Sequence, residues 1–254
     1  MRLNRFLAQS GLGSRRAVEA LIEAGEIAVN GQVTRQPWHQ VDPARDRVHA
    51  RGGPVRPAAA HSYILLNKPR GYDVTRGGRH HHRRAWDLLP AGTHPSVQSV
   101  GRLDRDSAGL LLFTNDGELA FRLAHPRYGI RKVYEVVVQG RVGGAALRRL
   151  TEGIELEDGP ARALSAEPVG PEDQDWTRLR LIMVEGRKRI VRRMCEAIGH
   201  PVMELERTAM GGIELGGLRR GKTRPLRPAE IRRLRRSVGL GENGSSRKDT
   251  KSQR

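Results

Sequence analysis

The sequence predicts an α+β protein, in which a small N-terminal helix-hairpin module precedes a larger domain with a mixed, mostly antiparallel sheet. Three observations support this prediction. The chain has 254 residues, which is enough for two folded units. Apolar residues at helical spacing and an Asn-Gly turn occur within residues 1–50. Strand-like apolar runs and helical patterns then alternate irregularly over residues 61–238.

The N-terminal module begins with two predicted helices. Apolar residues from 3 to 7 indicate the first helix, and Ser14 is placed to cap a second helix that Gly25 ends. Residues 27–33 then alternate around Asn30 and Gly31. Because both central positions of a tight hairpin turn need positive φ, Asn-Gly predicts a β-hairpin there.

Two arginines stand in the first turn of the second predicted helix. Arg15 and Arg16 oppose the helix dipole at this position. A phosphate bound at the helix N-terminus would compensate, because it would accept hydrogen bonds from the free N–H groups and from both guanidinium groups. The alternative is a pair of solvated surface arginines.

The larger domain is expected to follow a linker. Residues 51–60 contain two prolines and no periodic apolar pattern, and therefore read as that linker. The predicted strands are residues 63–66, 109–113, 133–138 and 179–184, and the predicted helices are residues 118–124, 145–151, 190–198 and 228–237. Residues 239–254 are rich in Gly, Ser, Lys and Arg, and we expect a disordered basic tail.

The charge and the missing motifs narrow the classes of function. Lys and Arg outnumber Asp and Glu by 46 to 28, a net charge of +18, which favours a polyanionic partner such as nucleic acid. We expect no membrane partner, because no apolar run approaches the roughly 20 residues of a spanning helix, and no signal peptide, and so a cytoplasmic location. The phosphate loop, the zinc-binding helix and the nucleophile elbow are all absent from the sequence. The run from His80 to His82 lacks spaced partners, which favours an RNA-contacting loop over a metal site.

Two carboxylates lie among arginines just before a strongly apolar strand. On an extended segment Arg102, Asp104 and Asp106 would share one side, and Leu103 would point toward the core. A carboxylate that must stay ionised beside a polyanion needs a fixed cation, which Arg102 or Arg105 could supply. Spacing alone leaves a second interpretation equally open, namely an Asp-Arg surface pair that caps a turn.

Several motifs resemble known families. The N-terminal region resembles the small alpha-L RNA-binding module, the S-four domain, in Arg2-Leu3-Asn4, Gly13-Ser14-Arg15-Arg16 and Val29-Asn30-Gly31. Four further motifs resemble those of the RsuA/RluB-type ribosomal RNA pseudouridine synthases and occur along the chain in the family's order. They are Asn67-Lys68-Pro69-Arg70-Gly71, Gly101-Arg102-Leu103-Asp104 with residues 109–117, Lys132-Val133-Tyr134, and residues 185–194. Ile190, where many members carry a polar residue, and the His-rich insertion depart from the pattern.

The second resemblance implies an isomerase that converts uridine in ribosomal RNA to pseudouridine, with the large subunit favoured. It implies that Asp104 is catalytic, as nucleophile or base, that Tyr134 stacks on the extruded base, and that Arg192 pairs with Asp104. Arg102 is the further substrate-binding candidate. The predicted RNA-binding residues are Arg2, Arg15, Arg16, Lys68, Arg187 and Lys188. The reaction requires neither cofactor nor metal.

Alternatives remain at this point. Tyr134 could be a core residue of its strand, and the arginines of residues 187–193 could form a solvated face. The partner is expected to be ribosomal RNA or a ribosomal-subunit assembly intermediate, bound by a monomer. A non-catalytic ribosome-binding or rRNA-binding factor would fit the charge and the N-terminal module equally well. A nuclease or glycosidase would need a metal cluster or a second, well-separated acid, and Asp106 lies too near Asp104.

Overall fold

The structure, a computed structural model, describes residues 1–56, 61–75, 82–170 and 175–241. The predicted α+β class is confirmed, with helices and antiparallel pairing in the N-terminal part and a larger mixed sheet after it. The chain forms two compact units. One comprises Met1–Tyr63, Pro90–Gln98 and Phe113–Gly117, and the other comprises Ile64–Leu89, Ser99–Leu112 and Glu118–Arg254.

The N-terminal part consists of two helices and a four-stranded antiparallel sheet in the order β2-β1-β3-β4. These elements are α1 (Leu3–Gln9), α2 (Arg15–Glu23), β1 (Ile27–Val29), β2 (Gln32–Val33), β3 (Val48–Ala50) and β4 (Gly53–Val55). The predicted hairpin is confirmed, since Asn30 and Gly31 adopt φ of 52° and 83° between β1 and β2. The apolar faces of the helices and β1 form its core, with Leu3, Leu7 and Ile22 fully buried.

The second helix begins and ends as predicted. The Ser14 hydroxyl accepts a hydrogen bond from the Ala17 N–H at 3.2 Å, and Gly25 follows the helix with φ of 79°. The linker prediction needs correction, because β4 lies inside residues 51–60 and pairs with β3. The apolar pattern gave no sign of so short a strand, which carries Gly53 and Pro54. Residues 57–60 lie outside the described part of the chain.

A nine-stranded sheet dominates the rest of the molecule, and a separate hairpin of β9 and β10 accompanies it. The strands are β5 (Tyr63–Lys68), β6 (Gln98–Ser99), β7 (Ala108–Thr114), β8 (Lys132–Gln139), β9 (Ile154–Leu156), β10 (Gly159–Ala161), β11 (Ser165–Pro168), β12 (Trp176–Met183), β13 (Val202–Met210), β14 (Ile213–Glu214) and β15 (Thr223–Pro225). The main path is β11-β12-β8-β13-β7-β5-β15, with β14 on β13 and β6 on β7. The β13–β7 pair is parallel, whereas β8 pairs antiparallel with both β12 and β13.

Four helices accompany this sheet in the described residues, together with 3-10 turns at Ala85–Leu88 and Pro126–Tyr128. They are α3 (Gly117–Ala124), α4 (Gly144–Glu152), α5 (Ile190–Ala197) and α6 (Pro228–Ser237). Every helix and strand predicted for this domain is present, with ends displaced by at most a few residues. None of the described helices is long and apolar enough to cross a membrane. The predicted tail lies outside the described residues from position 242 onward.

Strand β13 was not predicted, although it lies in the middle of the sheet. Its pairing with β8 shifts register twice, between Val202 and Glu204 and between Arg207 and Ala209. These irregularities remove the regular alternation of buried and exposed residues on which a strand prediction depends. β13 also packs closely on β7, because a side chain at Gly109 (φ 104°) would overlap the Arg207 backbone.

Candidate active site

The segment that carries the two carboxylates forms a turn instead of the extended strand that we expected. The Ser107 N–H donates to the Asp104 carbonyl oxygen at 3.1 Å, which closes the turn just before β7. Leu103 is buried as predicted, and Asp104 is half-buried. The Asp104 carboxylate forms no hydrogen bond or ion pair with another described residue, so its oxygens remain available to a ligand.

Lys68 supports this turn from inside the protein. Its side chain is fully buried, and its Nζ donates to the carbonyl oxygens of Ser107 (2.8 Å) and Pro69 (2.9 Å). Burial lowers the pKa of Lys68 to about 8, against the opposing attraction of Asp73, Asp106 and Asp104. The prediction that Lys68 binds RNA is therefore wrong. No pattern in the sequence indicates that the Lys68 side chain is buried and hydrogen-bonded to backbone carbonyl oxygens.

Asp104 lies in a cleft of about 250 Å³ with Tyr134. The structure thus brings together the predicted catalytic and stacking residues, which are 30 positions apart in the chain. Arg102 and Lys188 also border this cleft, as do Lys132, Arg189 and Arg207. Lys188 and Arg102 are exposed and bind no described carboxylate, which leaves their charges available to phosphate.

A wider depression of about 590 Å³ adjoins the cleft and shares Asp104, Lys188 and Arg189 with it. Its other borders include Arg70, Arg105 and the exposed side chain of Met203. Asp104 therefore stands where a narrow cleft and an open, basic depression meet. This shape suits one extruded base in the cleft and a phosphate backbone across the depression.

Tyr134 is fixed by its position in the middle of the sheet. On β8 it pairs with Leu181 of β12 on one side and with Arg207 of β13 on the other. Its side chain is 8% exposed, and that small surface borders the cleft. Tyr134 is therefore a core residue of its strand, and it also borders Asp104's cleft. Its stacking on a base stays a prediction.

Two buried cations border the same cleft beside Tyr134. Arg207 donates from Nε to the Leu110 carbonyl oxygen at 2.8 Å, and Lys132 donates from Nζ to the Val184 carbonyl oxygen at 3.1 Å. Burial, with repulsion from Arg207, lowers the pKa of Lys132 to about 8. Sequence reasoning did not single out either residue. Lys132 belongs to the tyrosine motif and could have been found there, whereas Arg207 lies on the unpredicted strand β13.

Asp106 is held by two arginines of residues 185–194, the basic segment. Its Oδ2 lies 3.0 Å from Arg189 Nη2 and 3.3 Å from Arg192 Nη2. Burial raises the pKa of Asp106, but the hydrogen bond from Arg189 and the charges of Arg192 and Arg189 outweigh it and keep the pKa below 3.8. Asp106 is thus an ionised carboxylate that joins the turn to the basic segment.

Arg192 differs from the expectation in its partner. We expected it to pair with Asp104, but its side chain contacts Asp106, and its Nη2 also donates to the Asp106 carbonyl oxygen at 3.1 Å. Desolvation lowers the pKa of Arg192, opposed chiefly by Asp106 and less by Asp104, so Asp104 acts on it only from a greater distance. Two carboxylates two positions apart compete for one arginine, and only the turn geometry decides between them.

Two further arginines of the basic segment bind a different carboxylate. Arg187 Nη1 and Arg193 Nη1 lie 2.9 Å and 2.8 Å from Asp158 Oδ1, in the turn between β9 and β10. Arg187 also donates to Glu185 and to three backbone carbonyl oxygens of residues 158–160. Arg187 is thus engaged mainly within the protein although it borders the cleft, and its contact with phosphate stays a prediction.

Helix α5 carries Arg192 and Arg193 and follows Arg189, which adopts φ of 51°. The helix buries Ile190, Val191, Met194 and Cys195. Burial raises the pKa of the Cys195 thiol to about 12. Cys195 is thus a buried residue of the helix core.

The remaining predicted RNA contacts lie in the N-terminal part. Arg2, Arg15 and Arg16 are exposed, and no described acidic side chain pairs with them. His82 Nδ1 lies 2.8 Å from Asp73 Oδ2, while His80 and His81 fall outside the described residues. The described part of the chain contains no group of His, Cys, Asp and Glu side chains suited to a metal ion.

Comparison with known proteins gives consistent matches. The family profile described as RNA pseudouridylate synthase matches residues 62–197, and the S4 domain profile matches residues 1–48. An RNA pseudouridine synthase of Aquifex aeolicus, named as uncharacterized, is 43% identical over 94% of this chain and 96% of its own. Ribosomal large subunit pseudouridine synthase B of Bacillus subtilis is 38% identical over 95% of this chain and 98% of its own. A crystal structure of a pseudouridylate synthase matches with a TM-score of 0.65 and 27% identity, over 92% of this chain and 99% of that one.

Proposed function

The chain belongs to the RNA pseudouridylate synthase family, and we propose that it isomerises particular uridines of large-subunit ribosomal RNA to pseudouridine, with Asp104 as the catalytic carboxylate. The observation that carries the assignment of Asp104 is its place in one cleft with Tyr134, while its carboxylate binds no other described side chain. Asp106, in contrast, is engaged by Arg189 and Arg192. Of the two carboxylates in the turn, Asp104 is therefore the one free to meet a substrate.

The reaction breaks the C1′–N1 bond of uridine, turns the freed uracil and joins C1′ to C5. Asp104 acts in it either as a nucleophile or as a base toward the ribose. The Tyr134 ring, which borders the cleft, stacks on the uracil and retains it while the base is detached from the sugar. Extruding the base costs a few kcal/mol, and stacking on one aromatic face offsets about 1–3 kcal/mol of this.

Binding of the RNA is assigned to exposed cations at two places. Arg102 and Lys188 border the cleft and contact the backbone of the target nucleotide, whereas Arg2, Arg15 and Arg16 belong to the S4 domain and contact a neighbouring structured region. Arg192 holds the Asp106 turn in place beside the substrate. We propose that the RNA-binding domain extends beyond residue 50 to include β4, and that residues 61–238 form the catalytic domain.

The choice of RNA rests on the named relatives, two of which are ribosomal large subunit pseudouridine synthases B from Bacillus subtilis and Escherichia coli O157:H7. The net charge of +18 suits such a polyanionic substrate. We propose that the protein acts as a monomer in the cytoplasm, on ribosomal RNA or a subunit assembly intermediate, without metal or cofactor.

The assignment of Asp104 is tested by Asp104→Asn, expressed in cells that lack the endogenous protein. We expect pseudouridine in large-subunit RNA, mapped by carbodiimide treatment and primer extension, to fall at least about 100-fold. RNA affinity and Tm should change little, because the Asp104 side chain bonds to no other described residue. Asp158→Asn is the matched control and should keep full modification, since Asp158 does not border the cleft. Persistent modification in Asp104→Asn would overturn the assignment.

A further inference from the structure

Three aromatic rings form an exposed cluster on α3 and the 3-10 turn that follows it. Phe121, His125 and Tyr128, the ring patch, have ring centroids 5.2 Å (Phe121–His125), 6.4 Å (Phe121–Tyr128) and 6.3 Å (His125–Tyr128) apart. Only 4% of the chain is aromatic, so an exposed cluster of this kind is conspicuous. The proposed roles of the cleft residues do not involve it.

The ring of Phe121 is exposed, whereas the other phenylalanine rings of the chain are buried in apolar cores. The other two phenylalanines, Phe6 and Phe113, are 2% and 1% exposed, whereas Phe121 is 51% exposed. The core side of α3 is already filled by Leu119 and Leu123, both 1% exposed. Phe121 therefore lies on the outer side of the helix, where it contributes little to the core.

Neighbouring arginines fix the patch and charge it positively. The guanidinium carbons of Arg127 and Arg122 lie 4.7 Å and 5.5 Å from the centroid of Tyr128, and Arg127 Nη2 donates to the Tyr128 hydroxyl at 2.8 Å. Tyr128 in turn meets Phe121 edge to face, with an interplanar angle of 81°. Among described residues no carboxylate pairs with Arg127, so its remaining donors are available to a phosphate.

The helix that carries Phe121 also borders the proposed active site. Ala124, on the same helix, borders the cleft that contains Asp104 and Tyr134. Residues three apart on a helix lie about 5–6 Å from each other between Cβ atoms, so Phe121 stands directly beside this border, and His125 follows it in the chain. A strand of nucleic acid with one nucleotide in the cleft would pass the patch within one or two nucleotides.

We propose that the ring patch is a stacking site for an unpaired nucleotide of the RNA, one or two positions from the target uridine. Phe121 stacks on the base, and Arg127 binds the adjoining phosphate. This inference rests on the proposed function, because it takes an RNA substrate as given. The occupant is single-stranded RNA because a ring face next to a free guanidinium group matches a base next to a phosphate. A purely apolar partner surface would gain nothing from Arg127.

The experiment measures modification and binding separately in the full-length protein. Large-subunit ribosomal RNA from a strain that lacks the gene serves as the probe for kcat, KM and equilibrium affinity, the last in an Asp104→Asn background. We expect Phe121→Ala to weaken binding about 5- to 100-fold and to raise KM, with kcat at saturating RNA unchanged. Phe121→Tyr should restore binding, and Phe121→Leu should not. Arg127→Gln should lower the slope of log affinity against log salt by about one.

Leu164→Ala is the matched control, since Leu164 is 47% exposed and borders neither depression at Asp104. Its affinity for RNA should equal that of the unaltered protein. Affinity that survives in Phe121→Ala or in Phe121→Leu would overturn the stacking site and would leave a surface for a protein partner. Failure of the unaltered protein to form pseudouridine would refute the proposed function instead, and the binding arm would still report on the patch.

Discussion

The basic segment binds two carboxylates with two pairs of arginines: the outer pair, Arg187 and Arg193, binds Asp158. The inner pair, Arg189 and Arg192, binds Asp106, and the two sites differ in which carboxylate oxygens they leave unpaired. At Asp158 both carboxylate oxygens accept from Arg193, at 2.8 Å and 2.9 Å, and Arg187 adds a third contact. At Asp106 one oxygen receives both Arg189 and Arg192, while the other is buried without a described partner. The contacts with Asp158 therefore anchor the segment to a hairpin, whereas the contacts with Asp106 position the turn that carries Asp104.

The largest loss of activity should come from removing the contact between Arg192 and Asp106. Arg192→Met removes contacts to Asp106 and to the Val202 carbonyl oxygen. We expect kcat to fall about 100-fold, because a shift of about 1 Å in a reacting group costs that much, and the free energy of unfolding to fall by about 1–3 kcal/mol. Single-turnover rates and denaturant titrations measure both.

Arg193→Met is the matched control for this loss, since it removes the same chemical group from the same helix but breaks the ion pair with Asp158 instead. It should leave kcat within about threefold of the unaltered protein, because Asp158 does not border the cleft. Equal losses of kcat in Arg192→Met and Arg193→Met would contradict the different roles assigned to the Asp106 and Asp158 contacts.

A smaller effect is expected at Lys68, whose Nζ donates to the Ser107 carbonyl oxygen of the same turn. Its pKa is lowered from 10.5 to about 8, so between these pH values the unfolded chain holds a proton that the folded protein lacks. Stability should therefore rise with pH in this window. Lys68→Met should reduce that slope by up to about 1.4 kcal/mol per pH unit, as measured by denaturant titrations from pH 7.5 to 10. An unchanged slope would show that Lys68 is not the titrating group.

The smallest effect concerns the charge of Asp106 itself. Its folded-state pKa lies below 3.8, so its ionisation stabilises the protein above the unfolded-state pKa, and that contribution is lost as pH falls through the lowered pKa. Because the Asp106 side chain is 45% exposed, Asp106→Asn should cost at most about 1 kcal/mol at pH 7. The difference between the two proteins in thermal melts should shrink as pH falls through the lowered pKa of Asp106. A difference that stays constant as pH falls would mean that lost packing, and not charge, is responsible.

Much of this fold was readable from periodic apolar runs, and what was missed has physical causes. Strands β8 and β12 were found because their burial largely alternates, and β5 and β7 because they carry continuous buried runs. Helix α6 was found from its helical spacing of apolar residues. Strand β13 was missed because two register shifts interrupt its alternation. The short strand β4 has no apolar run to reveal it.

The candidate site was predictable in its members and less so in its pairings. Asp104 and Tyr134 meet in one cleft, as their motifs implied. The partner of Arg192 depended on the turn between Asp104 and Ser107, and the burial of Lys68 depended on the strands around it. Such choices between nearby charges are tertiary, and no local pattern encodes them.

The single cysteine of this chain makes the helix behind the active site observable. Cys195 is next to Met194 on α5, three residues beyond Arg192, and its raised pKa and full burial keep it unreactive while the helix is packed. A thiol reagent can therefore label the protein only when α5 opens. The rate of labelling therefore reports how often that one helix opens, and it can be measured in the unaltered protein with and without RNA.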